Sequence, residues 1–172
     1  MAHELYTRTN QKLYFAGLAL EAWKRAETGQ AMNAQALIQA ERESALFHLY
    51  GAVLGLCHEI AGFYRLPEAR APRVDMLLNQ VVLNAAPSPE LAELVELAQQ
   101  PETWLGRLLA AYAALFQPPQ APKKAKVDPT VPLIESVDLE AEEPSLGRDE
   151  LEEWRKQLKG LALRFRETLT EC

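Results

Sequence analysis

Cysteine is scarce: Cys57 and Cys172 are the only two. Two such thiols make no disulfide framework and fit free, reduced cysteines in the cytosol. Histidine is scarce as well, with His3, His48 and His58 alone. The chain has no Glu-x-x-His, His-x-x-x-His or Cys-x-x-Cys, the spacings that di-iron bundles and zinc sites use. His48 and His58 lie ten residues apart, ~15 Å along a helix, too far to share one metal. No metal and no cofactor are therefore expected. No Gly-x-x-x-x-Gly-Lys-Ser/Thr, Gly-x-Gly-x-x-Gly or Gly-x-Ser-x-Gly occurs, which removes the common phosphate-cradling loops and the nucleophile elbow. Cys57 and His58 are neighbours and point about 100° apart on a helix, so they form no dyad. Excess positive charge is missing too. The formal net charge is -6, which argues against a nucleic-acid binder.

Long apolar runs are also lacking. The longest nearly apolar stretch, Leu46 to Cys57, is broken by His48 and falls short of the ~20 residues of a membrane span. The opening Met1-Ala2-His3-Glu4 has no basic-then-apolar signal pattern. A cytoplasmic protein without membrane contact is expected. Glycine is limited to 8 residues, whereas Ala and Leu make up 54 of the 172. That balance favours helices, because Ala and straight-chain side chains lose little entropy there.

The helical signal is periodic. Tyr6, Thr9, Leu13, Ala16, Leu20 and Trp23 step by threes and fours across Glu4–Glu27, diluted at Thr9, with Gly29 as a stop. A second helix is predicted over Asn33–Arg65, capped by Asn33 and ended by Leu66-Pro67. From Leu46 onward it is apolar around most of its circumference, which places it centrally. Shorter helices are predicted over Arg73–Ala85, from Ser88-Pro89-Glu90, and over Thr103–Gln117. The last runs from Ser145 to Thr170 on Leu151, Trp154, Leu158, Leu161 and Phe165. The expected fold is all-α, an up-down bundle of four main helices with extra short ones. Residues 1–117 form its core and 148–172 complete it. Residues 118–147 hold 6 of the 11 prolines, with Lys123, Lys124 and Lys126, then Glu135, Asp138, Glu140, Glu142 and Glu143. They read as an extended linker, in which Val131, Leu133, Ile134 and Val137 are able to dock.

Two patterns on the second helix point to function. Ser44, His48, Gly51, Gly55, His58 and Gly62 step by fours and threes and share one face. Three helical glycines cost ~1 kcal/mol each relative to Ala. Either another backbone comes close, such as the Ala-rich part of a later helix, or the face forms a shallow ligand groove. The aromatic residues fall at seam positions and read as core. Arg42 and His48, with Glu43 to Phe47 between them, resemble the Arg-x(4–6)-His motif of HEPN-type ribonucleases. That resemblance implies His48 moving a proton at a 2′-hydroxyl and Arg42 holding the phosphate. The contrary reading is an exposed Arg42 and a His48 satisfied by a neighbouring helix.

The segments Tyr6-Thr7-Arg8-Thr9-Asn10-Gln11-Lys12-Leu13 and Glu41-Arg42-Glu43-Ser44-Ala45-Leu46-Phe47-His48-Leu49-Tyr50 resemble an uncharacterised family of small all-helical cytosolic proteins from Pseudomonas and related bacteria. The resemblance implies a bacterial cytosolic origin and an all-α fold, and no activity. With no catalytic constellation, the leading expectation is a non-enzymatic interaction or adaptor protein with a protein partner, or a homodimer. The alternatives are a HEPN-like ribonuclease using Arg42 and His48, and a small-ligand-binding bundle.

Overall fold

Amphipathic periodicity becomes helix wherever a cap or a turn residue lets it start and stop. The computed structural model describes residues 2–118 and 145–170, with side chains from Leu5 onward. Within them lie six α-helices: α1 (Ala2–Thr28), α2 (Ala34–Phe63), α3 (Gln80–Ala85), α4 (Pro89–Gln99), α5 (Trp104–Ala114) and α6 (Arg148–Thr170). A single 3-10 turn spans Val74–Met76, and no strand occurs among the described residues. The all-helical expectation is met. Most of the expected linker, residues 119–144, lies outside the described residues, and so do its lysines, its acidic run and its apolar residues.

Short polar side chains decide several boundaries. Ser88 caps α4 through the Leu91 N–H, with Pro89 at the first helical position. Thr103 caps α5 by accepting from the Gly106 N–H at 3.0 Å. Asn33 sits before α2 as expected, but its side chain makes no capping hydrogen bond. Asn79 is the asparagine that caps: its side chain accepts from the Val82 N–H at 2.9 Å. Its extended backbone breaks the predicted Arg73–Ala85 helix into the 3-10 turn and α3. Val81, in the first turn of α3, is consequently 78% exposed. The end of α2 comes before Pro67. Arg65 turns left-handed, with φ 54°. The Leu66 N–H then donates to the Ala61 carbonyl at 2.8 Å and the Arg65 N–H to Gly62 at 3.2 Å, the two bonds of a Schellman motif.

Helix α2 is central, packing on α1, α4, α5, α6 and the 3-10 turn. Leu49, Val53, Leu56 and Ile60 of α2 are buried with Leu105 and Leu108 of α5 and Leu151, Leu158 and Phe165 of α6. Cys57 lies among them, and burial pushes its thiol up to about 12, so it is a packing group and not a nucleophile. As a whole helix, α2 is long and apolar enough to cross a membrane, in contrast to the shorter apolar stretch read from the sequence. In its most apolar window, 56% is buried inside the fold.

Charged side chains fix how α6 meets the rest. Glu59 on α2 has a fully buried side chain, and its Oε1 accepts from Arg166 Nη2 at 2.8 Å and Nε at 3.1 Å. Arg166 also donates to Asn10 Oδ1 and lies over the Tyr6 ring. Burial pushes the Glu59 carboxyl up, while Arg166 pulls it down. Arg155 donates from Nε to the Leu13 carbonyl of α1 at 2.8 Å. It reaches that carbonyl over Gly17, where a Cβ would stand 2.8 Å from the guanidinium.

Candidate functional site

Helix α1 lies along the glycine stripe of α2. A Cβ on Gly55 would stand 2.6 Å from Thr9 Oγ1 and 3.2 Å from Thr9 Cα. A Cβ on Gly51 would meet the Lys12 side chain at 3.1 Å, and one on Gly62 the Leu5 methyl at 3.0 Å. The close approach expected from the glycines is real, but the partner is the first helix and not an Ala-rich later one. Thr9 fits because it is small, fully buried, and bonded to its own helix at the Leu5 carbonyl.

Beside this contact opens a groove of about 390 Å³. Gly51, Leu54, Gly55 and His58 of α2 line it, with Arg8 and Lys12 of α1 on one side and Pro72 and Tyr112 on the other. Phe47 and Tyr50 complete it. Three residues of the predicted face, Gly51, Gly55 and His58, thus come together in a concave site. Ser44, His48 and Gly62 fall outside it. His58 donates from Nε2 to the Ala71 carbonyl at 2.7 Å, which ties the ring to the chain after α2.

Aromatic rings dominate the walls. Tyr50 and Tyr112 stack face to face, centroids 3.7 Å apart and 7° from parallel. The Tyr50 hydroxyl accepts from the Val74 N–H at 3.0 Å, and burial pushes its phenol up, so it stays neutral. Phe116 packs edge-on against Tyr112 and is 71% exposed, and Phe47 is 51% exposed. Phe47, Tyr50 and Tyr112 were expected in the core. A second groove of about 400 Å³, lined by Arg73, Asp75 and Leu78, shares the Tyr50–Tyr112 wall.

Arg42 and His48 do not form a joint site. Arg42 is half-buried, not exposed: its Nε donates to the Leu146 carbonyl at 3.1 Å and its guanidinium covers Trp23. His48 packs edge-on to Phe15 and Phe47. Its buried Nδ1 has no hydrogen-bond partner among the described residues, so no neighbouring helix satisfies it. Burial, and then the Lys12 charge, push the imidazole below its usual range. A base with a depressed folded pKa adds stability above its unfolded value, near 6.5, and that stability is lost as pH falls. The wild type is therefore expected to lose more stability between pH 7.5 and 5 than a His48→Gln variant. Urea unfolding of both proteins at the two pH values measures the difference.

Among the described residues no group of three His, Cys, Asp or Glu side chains is placed to hold a metal. The sequence profile of a family of unknown function, DUF6586, matches residues 1–172. The chain belongs to that family. No curated protein and no solved structure matches it. For this DUF6586 member the fold and the groove carry the functional argument. The residues that sequence reasoning missed are Arg8, Lys12, Phe47, Tyr50 and Tyr112. Only their neighbourhood to the glycine stripe could have singled them out.

Proposed function

We propose that the protein is a non-enzymatic interaction module of the bacterial cytoplasm, and that the groove between α1, α2 and α5 receives a protein partner. The observation that carries this reading is the aromatic wall of half-buried Tyr50 and Tyr112 and exposed Phe47 beside a glycine-floored channel. Large rings left in solvent beside a concave floor are characteristic of recognition surfaces, where Tyr and Phe supply most contact area. In the same reading, residues 1–117 and 148–172 build one up-down bundle around four main helices, joined through 118–147. The antiparallel run of α1 against α2, seen in the pairs Thr9–Gly55 and Trp23–Arg42, supports that arrangement. The commitment of Arg42 to Leu146 and Trp23 favours binding over ribonuclease chemistry.

A photo-crosslinking amino acid placed at Phe47 tests the proposal in the native host, with Val81 as the exposed control. A discrete protein adduct from position 47, absent from position 81, is expected. Adducts to RNA alone, or no adduct at position 47, would overturn it.

A further inference from the structure

We propose that the groove selects acidic peptide segments that carry bulky apolar side chains. This inference rests on the interaction reading above and adds the chemistry of the partner.

The rim supplies the charge. Arg8 and Lys12 stand one helical turn apart on α1, and among the described residues neither forms an ion pair. Among the described residues no carboxylate lines the groove, although the whole chain carries 24 acidic and 18 basic residues. Arg8 is exposed, and its guanidinium donates to the neutral Gln11 side chain at 3.2 Å. The Lys12 ammonium hangs 5.3 Å from the Phe47 ring centre and 6.0 Å from Phe15. A cation held over aromatic faces keeps its charge available at the mouth of an apolar channel. An incoming carboxylate meets two cations there, and a neighbouring apolar side chain meets the aromatic wall.

The floor supplies the shape. Gly51 has no side chain, and the half-buried Leu54 follows it. From Phe47 to His58 the groove follows twelve residues of α2, eleven steps or ~16 Å. That length matches about three turns of a docked helix or five residues of an extended strand. The partner is therefore a short segment, with acids toward α1 and apolar groups toward α5. Helix-in-groove recognition works in this way, through anchors in pockets and charges on the rim.

The test is fluorescence-polarisation binding of a labelled peptide of alternating Glu and Leu with one Trp, against the full chain. Binding is expected to weaken about tenfold in an Arg8→Glu/Lys12→Glu variant, since ~1.4 kcal/mol corresponds to that factor. A comparable loss is expected with Phe47→Ala, whose exposed ring leaves the core untouched. A Gln-for-Glu peptide should bind as weakly as the charge-reversed variant binds the acidic one. Equal binding of the Gln peptide, or equal binding by the charge-reversed protein, overturns the acidic selectivity. Displacement of the labelled peptide by an RNA oligonucleotide of the same charge, at a lower concentration than the unlabelled peptide needs, assigns the groove to nucleic acid and also overturns it. No peptide binding, with self-association that is lost on charge reversal, gives the groove to a second copy and overturns it too. An adduct from position 47 combined with failed peptide binding leaves the interaction reading intact and removes only this one.

Discussion

Replacing Arg166 with Met is expected to lower the unfolding free energy by about 3–5 kcal/mol, the range seen when one member of a buried ion pair is removed. The reason lies in Glu59. Its side chain is fully buried, its Oε1 takes both bonds from Arg166, and its Oε2 has no partner among the described residues. Without the guanidinium an uncompensated carboxylate stays in the core, or takes up a proton to avoid that state. The double variant Glu59→Met/Arg166→Met should regain most of the loss, because a buried pair replaced as a whole by apolar groups is often neutral. Acid separates the two explanations of the single variant. The folded pKa of Glu59 already lies above its usual value because of burial. Its contribution to stability is full below the unfolded value, near 4.3, and is lost as pH rises through the folded value. Removing Arg166 raises the folded value further, so Arg166→Met should recover stability on acidification more steeply than the wild type. A variant whose deficit is the same at pH 5 and pH 8 would show that lost packing, not charge, carries the cost.

Gly55→Leu and Gly51→Ala are expected to act in opposite directions, although both glycines lie on one stripe. At Gly55 the first added carbon already meets Thr9 Oγ1 at 2.6 Å and the Thr9 backbone at 3.2 Å. Backbone cannot step aside without parting α1 from α2, and overpacking of this kind costs about 1–3 kcal/mol. A leucine should reach the upper end of that range. At Gly51 the neighbour is the Lys12 stem, 3.1 Å away, which has several rotatable bonds. Once that stem moves, Ala returns up to ~1 kcal/mol of helix propensity. Denaturant midpoints of the two variants decide the matter. A stabilised Gly55→Leu would mean that α1 does not rest on this face.

The same stripe shows how much of the molecule was legible beforehand. Steps of three and four placed Gly51, Gly55 and Gly62 on one face and required something close above them, and something close is there. The identity of that neighbour was not legible, because spacing on one helix describes its own surface only. Thr9 looked like a fault in the α1 seam, yet a small side chain bonded to its own helix is what the contact with Gly55 needs. The central position of α2 followed from apolar residues on all sides after Leu46. The exposure of Phe47 did not follow, since it lies one step around the helix from the buried Leu46 and a seam count cannot separate them. The two asparagines give the same lesson. Asn33 precedes a helical pattern and Asn79 falls inside one, yet the backbone conformation makes Asn79 the cap and leaves Asn33 without a capping bond. Arg42 and His48 had a suggestive spacing, but spacing carries no information about a carbonyl 104 residues away that occupies the arginine.

The seam between α1 and α6 joins parts of the chain that are far apart in order. Arg148 meets Glu27 across 121 residues, Arg155 meets Leu13 across 142, and Arg166 meets Asn10 across 156. Closing such long loops is entropically costly and comes late in assembly, whereas the α1–α2 hairpin needs only a short turn. During translation the first two helices therefore meet while the face reserved for α6 is still bare. The bare face holds Glu59 and Leu13, whose carbonyl later accepts from Arg155, so a carboxylate keeps the unfinished hairpin wet near the end of α2. Emergence of α6 from the ribosome then brings the cation that lets this carboxylate leave water, and α6 seals α1.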